Sequence, residues 1–119
     1  MRLIGKLAIA LLLLASPKFA WAITAGITPC SNNTLSAGSG SSTNIQLSKC
    51  GGVVIVWNIG SVEAFYNYGS ASTTAATTSN YSIPSGGFVV LNLGTSGLYL
   101  AAITSSSSTT LRITQGQAE

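Results

Sequence analysis

Charged residues are scarce in this sequence, and histidine is absent from it. Asp, Glu, Lys and Arg together make up 6% of the 119 residues, whereas soluble domains average about 25%. Three of the five cationic residues lie within the first 22, so the formal net charge of +3 does not describe the body of the chain. The charges of the body balance: Lys49, Arg112, Glu63 and Glu119. A neutral body has no basic patch to neutralise phosphates, which excludes nucleic acid as a partner.

The same scarcity excludes the common catalytic sites. A serine or threonine nucleophile needs a base, and the only candidate in the body is Lys49, which we interpret as a solvated charge in a loop. Glycoside hydrolysis needs two carboxylates that flank the bond, and Glu63 and the near-terminal Glu119 do not form such a pair. The spacing of carboxylates and thiols matches no calcium, magnesium or zinc site. The sequence therefore predicts a protein that is not an enzyme and holds no metal or other cofactor.

Long apolar runs are also missing. The longest, near the N-terminus, covers residues 7–15, LAIALLLLA, whereas a helix that spans a bilayer needs about 20 residues. The cations Arg2 and Lys6 precede this run, and Ala20 and Ala22 follow it with the A-x-A spacing of a signal-peptidase site. These features predict a secretory signal peptide over residues 1–22, cleaved before residue 23.

The cysteines agree with export. Cys30 and Cys50 are the two cysteines of the chain, and an even number in a small exported domain predicts a disulfide. With 19 residues between them, the bond would contribute about 3 kcal/mol by restricting the unfolded chain. We therefore expect a protein of the periplasm, the cell surface or the extracellular space. The alternative is an uncleaved segment, with Phe19 and Trp21 at the membrane interface, which is the only membrane contact that we predict.

The rest of the sequence is typical of short β-strands. Residues 53–57, VVIVW, lie between Gly51-Gly52 and Gly60, and their branched side chains favour an extended central strand covered on both faces. Further strands are predicted at 43–47, 64–68, 81–83, 88–93, 98–104 and 109–115. Turn signals recur about every ten residues, which indicates an all-β fold: one antiparallel β-sandwich or small barrel of about six to eight strands. The predicted organisation is a signal segment at 1–22, a Ser/Thr/Gly-rich lead at 23–50 closed by the disulfide, and a sandwich core at 51–119.

Aromatic side chains are the remaining candidates for binding. Tyr66, Tyr68, Tyr81 and Tyr99, together with Trp57, could form a platform for a sugar ring. On strands, such residues more often pack in the core or at its rim with the phenol oxygen in water. The polar stretches 69–80 and 104–110 could bind a receptor or glycan through their hydroxyl groups, although most such loops are solvated connections.

Eight short motifs follow one another from residue 58 onward. They are NIGS at 58–61, AF at 64–65, GS at 69–70, AATT at 75–78, IPSG at 83–86, VVL at 89–91, LAAIT at 100–104 and TLRITQG at 110–116. This series resembles small β-sandwich proteins encoded among the virion structural genes of tailed phages and prophages. The resemblance covers roughly the C-terminal half of the chain. It implies an accessory role in a virion, as decoration of the head or as a surface module of a tail or fibre, and it brings no catalytic residue.

Three functions fit these features. The first is a non-enzymatic, phage-type module that acts by surface contact, as an oligomer or bound to a larger assembly, because a nearly uncharged strand face has to be covered or paired. The second is an exported bacterial protein of the surface or periplasm that binds glycan or an envelope component. The third is a secreted structural protein that self-assembles through the edges of its sheets. We therefore expect a protein partner or self-association, with glycan as a further ligand, and either export or association with a virion.

Overall fold

The computed structural model describes residues 27–94 and 98–118, which form eight β-strands. The predicted signal segment, with its cleavage residues Ala20 and Ala22, lies outside the described residues. None of the described residues belongs to a helix long and apolar enough to cross a membrane. The strands are β1 (Ile27–Gly38), β2 (Thr43–Gln46), β3 (Val53–Asn58), β4 (Ala64–Gly69), β5 (Tyr81–Ile83), β6 (Phe88–Asn92), β7 (Tyr99–Thr104) and β8 (Ser108–Ala118).

The strands form two four-stranded antiparallel sheets. Sheet 1 has the order β1-β8-β3-β6 and sheet 2 the order β2-β7-β4-β5. The first strand pairs with the last, the second with the seventh, the third with the sixth and the fourth with the fifth. This nested pairing, in which successive strands lie in different sheets except for the β4–β5 hairpin, is the eight-stranded jelly roll, a double-sheet form of the β-sandwich. The prediction of an all-β antiparallel sandwich is confirmed.

Strand β3 is central in sheet 1, as predicted, but its outer face is covered only at its beginning, where Val53 is buried. Val54, Val56 and Asn58 point between the sheets and are buried. The alternate residues, which end with Trp57, point to the outside of sheet 1, where the indole is 49% exposed. The prediction that both faces of this apolar strand are covered was wrong at Trp57, because within residues 27–94 and 98–118 the second sheet packs on the inner side of sheet 1. The core between the sheets consists of Leu35, Ala37, Leu47, Val54, Val56, Ala64, Tyr66, Ile83, Leu100, Ala102, Leu111 and Ile113.

The segment predicted as a lead belongs to the sandwich. β1 pairs with β8 along its whole length, with a register shift between Pro29 and Ser31, and β2 forms an edge of sheet 2. The sandwich therefore includes strands from residues 27–50, which the prediction had placed before its core. The polar sequence of β1 is explained by its position at the edge of sheet 1, where only Leu35 and Ala37 are buried.

A buried asparagine connects the turns at one end of the sandwich. The side-chain amide of Asn58 donates to the carbonyls of Val62 at 2.8 Å and Ile83 at 2.9 Å. Its oxygen accepts from the Gly60 amide at 3.1 Å and from the Thr109 hydroxyl at 2.6 Å. Asn58 is fully buried, and these four bonds satisfy its donors and acceptors. One side chain thus connects β3 to the β3–β4 turn, to β5 and to β8.

A buried glutamine and the disulfide fix the opposite end. The amide of Gln115 donates to the carbonyls of Ser48 at 2.8 Å and Gly51 at 3.3 Å, and its oxygen accepts from the Ser48 amide at 2.7 Å. The connection between β2 and β3 is therefore held against β8. The predicted disulfide is present between Cys30 in β1 and Cys50 in this connection, with a Cα–Cα distance of 6.2 Å. The loop is thus joined covalently to the edge of sheet 1.

Candidate functional site

An apolar patch covers one end of the outer face of sheet 1. We define the outer patch as Ile55 and Trp57 of β3 with Phe88 and Val90 of β6. The register pairs Ile55 with Val90 and Trp57 with Phe88, so the four side chains share one face. Trp57, Phe88 and Val90 are 49%, 54% and 57% exposed. Contiguous apolar side chains with this exposure on a soluble domain are a mark of an interaction site.

The turn between β5 and β6 positions the aromatic half of the outer patch. Gly86 adopts a positive φ of 78°, which only glycine tolerates easily, and the Gly87 amide bonds to the Pro84 carbonyl at 2.9 Å. The Trp57 indole nitrogen donates to the Gly86 carbonyl at 3.2 Å. The Trp57 and Phe88 rings lie 6.1 Å apart, centroid to centroid, in a tilted arrangement. The turn predicted at residues 84–87 therefore orients the indole on the surface.

The other side of the outer patch has a polar border. In the register of β8 against β3, Arg112 lies opposite Trp57 and Thr114 lies opposite Ile55. Beyond β8, Thr34 of β1 lies opposite Arg112. Arg112 and Thr34 are exposed. The face therefore changes from polar at the β1 edge to apolar at the β6 edge, with a single cation between them.

The outer face of sheet 2 is covered, in contrast to that of sheet 1. The connection at residues 70–80 folds back across it, and the side-chain amides of Asn44 and Asn67 donate to three of its backbone carbonyls at 2.8–3.0 Å. Ala76 of this connection is buried, and so is Ala101, which points outward from β7. The stretch at 69–80, interpreted above as a solvated connection that could also bind a ligand, is thus packed on the sheet.

The second predicted polar loop, residues 104–110, is a short turn rather than a free loop. Thr104 and Thr109 are both buried. The Thr104 hydroxyl donates to the Ser107 carbonyl at 2.7 Å, and the Thr109 hydroxyl donates to the buried Asn58 side chain. Only residues 105–107 lie between β7 and β8, so few hydroxyl groups remain there for a receptor or glycan.

The four tyrosines predicted as contact residues do not form one site. Tyr66 and Tyr68 of β4 and Tyr81 of β5 point to the inner side of sheet 2, whereas Tyr99 of β7 points to its outer side. The Tyr66 and Tyr81 rings lie 5.5 Å apart. Tyr66 is 6% exposed and Tyr81 60%. The structure thus groups three tyrosines, of which one is a core residue.

The environment of Tyr66 keeps its phenol protonated. Burial raises the pKa of Tyr66 above its ordinary value of 10.0, and the neighbouring Tyr68 and Tyr81 raise it further. The neutral phenol is therefore favoured in the folded chain, and this contribution to stability is present below pH 10 and is lost as the pH rises through the shifted value. The three tyrosines offer phenol hydroxyl groups and ring faces, which suit a neutral ligand.

No described set of three or more His, Cys, Asp or Glu residues could hold a metal ion. Lys49 and Glu63, considered above for catalysis, are both exposed. An open depression beside the disulfide is lined by Pro29, Cys30, Ser31, Asn32 and Thr114, and it offers neutral hydroxyl and amide groups.

The outer patch was only partly anticipated from the sequence. Trp57 was considered as an aromatic candidate, whereas Phe88 and Val90 were predicted only as residues of a strand. The signal that could have identified them is the run FVV at 88–90, which is apolar on both faces of a strand. One of those two faces is the outer face of sheet 1.

Comparison with known proteins assigns no family. No protein-family model and no curated protein matches the chain. Among solved structures, a de novo designed double-stranded β-helix is 16% identical, covers 71% of this chain and 96% of its own, and has a TM-score of 0.47. PirA is 12% identical over 71% of this chain and 92% of its own, with a TM-score of 0.48. An RmlC-like cupin family protein from Methanocaldococcus jannaschii is 10% identical over 71% of this chain and 67% of its own, with a TM-score of 0.45. These likenesses carry no assignment of function.

Proposed function

We propose that this chain is a non-catalytic surface-contact module, exported or associated with a virion, that docks on a protein partner through the outer patch. The observation that carries the proposal is the exposure of Trp57, Phe88 and Val90 on a sheet face without a covering layer among the described residues. Tryptophan and other aromatic residues are enriched among the side chains that dominate binding energy at interfaces. The disulfide is compatible with export.

The larger assembly that we propose for this module is a phage-type virion, with the chain on the head, tail or fibre. The support is the series of motifs from residue 58 onward that resembles phage structural proteins. Double-sheet jelly rolls occur in viral capsid and lectin domains, and also in cupins. The fold is thus compatible with the virion role, but this is an analogy at the level of the fold.

Replacing Trp57 by serine should lower incorporation of the chain into purified particles by at least about tenfold, because loss of a central aromatic contact costs about 2 kcal/mol or more. The measurement is quantitative mass spectrometry of gradient-purified particles from the producing strain. Tyr99→Ser is the matched control, since it removes an aromatic ring from the outer side of sheet 2 and should leave incorporation unchanged. The virion role fails if the native chain is absent from particles. The role of the outer patch fails if both variants are incorporated like the native chain.

A second candidate function is glycan binding by the inner-face tyrosines. The observation that favours it is the tilted pair of Tyr66 and Tyr81 beside Tyr68, with Tyr81 largely in solvent. Aromatic rings with free hydroxyl groups can stack on a sugar and bond to it.

Replacing Tyr81 by alanine should then weaken retention on a polysaccharide column roughly two- to tenfold, the loss of about 0.5–1.5 kcal/mol of ring contact. Tyr66 is unsuitable for this test because it is a core residue. Tyr99→Ala is the control, since it lies on the opposite face of sheet 2 and should be retained like the native chain. Equal retention of the two variants, or no retention of the native chain, would reject this candidate.

A further inference from the structure

Strand β6 is an edge of sheet 1 with a free side. In its ladder with β3, the Leu93 amide bonds to the Gly52 carbonyl at 2.8 Å, and the Asn58 amide bonds to the Gly87 carbonyl at 2.9 Å. Because hydrogen-bonded positions alternate along an antiparallel pair, the odd-numbered positions from 87 to 93 bond to β3. The amides and carbonyls of Phe88, Val90 and Asn92 therefore point away from β3, and no strand among residues 27–94 and 98–118 pairs with them.

The other three sheet edges carry features that hinder pairing with another chain, and β6 does not. β1 contains Pro29 and a register shift next to it. β2 has four residues and β5 has three. Short strands, prolines, bulges and charges are the usual protection of a sheet edge. β6, with the sequence FVVLN, has no proline, charge or register shift against β3, and its outward side chains belong to the outer patch.

We infer that the partner on this edge is a second copy of the chain, joined by antiparallel pairing of β6 with β6 across a two-fold axis at Val90. This inference goes beyond the proposed function, because it names the occupant of the free β6 edge and leaves the outer patch of each copy exposed for its own partner. In this register Val90 faces Val90 of the second copy, and Phe88 faces Asn92. All three positions have free backbone groups, so about six hydrogen bonds form across the axis. The two outer patches then lie side by side on one continuous eight-stranded sheet.

The charge distribution permits this approach of two identical surfaces. The described β6 strand and its neighbour β3 carry no ionisable side chain. The nearest cation on this face is Arg112 of β8, which is two strands away from the free edge, a distance of about 10 Å. Like charges therefore do not meet at the axis, and the near-zero charge of the body gives no long-range repulsion between copies.

The chain before β1 is a less suitable occupant of this edge. β1 and β6 are opposite edges of sheet 1, about 14 Å apart at the usual spacing between strands. After the predicted cleavage, residues 23–26 precede β1, and four extended residues reach about 14 Å at most. They can reach the β6 edge but cannot run along it. An uncleaved N-terminal segment is long enough to run along the β6 edge. The intact mass measured in the experiment below shows whether the chain retains that segment.

We expect a weak dimer, because the paired strand is short. Five residues of β6 span about 17 Å, so the interface is at the small end of specific interfaces. A dissociation constant in the micromolar range is therefore expected, which sedimentation velocity can measure with samples from about 1 µM to 1 mM.

The test uses the chain expressed with its own N-terminus, after its intact, non-reduced mass has shown which residues it retains. The native chain should show a monomer–dimer equilibrium, and Val90→Lys should weaken it at least tenfold by placing two cations at the axis. Thr34→Lys adds the same charge to the same face at the β1 edge and should dimerise like the native chain. A native chain that is monomeric throughout, with or without the N-terminal segment, overturns the inference. So does a dimer that both lysine variants weaken equally.

A positive test covers the case in which Val90→Lys does not fold. A residue on a two-fold axis faces itself, and the Cα atoms of a hydrogen-bonded antiparallel pair are about 5.5 Å apart, within the range of a disulfide. Val90→Cys should therefore form a covalent dimer under mild oxidation, whereas Thr34→Cys should not. Equal cross-linking of the two variants rejects the register. A monomeric chain that still enters particles through Trp57 leaves the proposed function intact and rejects only the self-pairing.

Discussion

Replacing Asn58 by aspartate should lower the free energy of unfolding by about 3–5 kcal/mol, the cost of leaving a charge buried without a partner. The substitution keeps the size of the side chain and the oxygen that accepts from Gly60 and Thr109. It replaces the amide nitrogen, which donates to the carbonyls of Val62 and Ile83, by a second oxygen. Two carbonyls then face a carboxylate instead of a donor, at a fully buried position.

The effect of Asn58→Asp can be measured by urea unfolding at neutral pH, with tryptophan fluorescence as the probe. The control is Asn32→Asp, which makes the same chemical change on exposed β1. The oxygen of Asn32 lies 3.4 Å from the Thr114 hydroxyl and accepts there, a role that a carboxylate retains. We expect a change within about 0.5 kcal/mol for this control. A loss below about 1 kcal/mol for Asn58→Asp would show that the network does not hold this end of the sandwich.

Removing the disulfide should be the second large effect. Replacing both Cys30 and Cys50 by alanine is expected to cost about 3 kcal/mol, from the entropy regained by an unfolded chain without the cross-link. The bond spans a sequence separation of 20. For a domain of this size the loss corresponds to a fall of roughly 12–24 °C in Tm. The β2–β3 connection would still be held by Gln115, so the variant should fold.

Reducing agent provides the internal control for this prediction. It should lower the Tm of the native chain towards that of the double alanine variant, and it should leave the variant unchanged. Differential scanning calorimetry with and without reductant measures both. Equal unfolding temperatures for the oxidised native chain and the double variant would contradict a stabilising role of the bond.

Strands with a clear alternation were predictable from the sequence, and their partners were not. β3, β4, β6, β7 and β8 were all expected near their observed positions because branched or aromatic residues alternate or run together there. β1 was missed, since an edge strand buries few side chains and its composition is then that of a loop. Its pairing with β8 depends on matching two polar strands that are distant in sequence, and no local pattern records that match.

The residues of the candidate site were likewise only partly predictable from the sequence. The alternation of β-strand side chains places Tyr66 and Tyr68 on one face of β4, but the face that becomes the core depends on the second sheet. The run at β3 was interpreted as covered on both sides, because a sequence cannot distinguish an apolar face that meets another layer from one that is left exposed. The sequence does contain a signal for the structural role of Asn58. It occupies the inward register of Val54 and Val56, where a polar side chain has to find several hydrogen-bond partners.

The pairing of β1 with β8 determines when this chain can fold. β8 lies between β1 and β3 in sheet 1. Neither β1 nor β3 can therefore pair with β8 until residues 108–118 have been synthesised. A fold dominated by contacts between distant parts of the chain also forms slowly. A chain that emerges from the ribosome N-terminus first therefore cannot complete sheet 1 until residues 108–118 have been made. A translocation channel accepts chains in this unfolded state, so the order of the strands would suit the export that we propose.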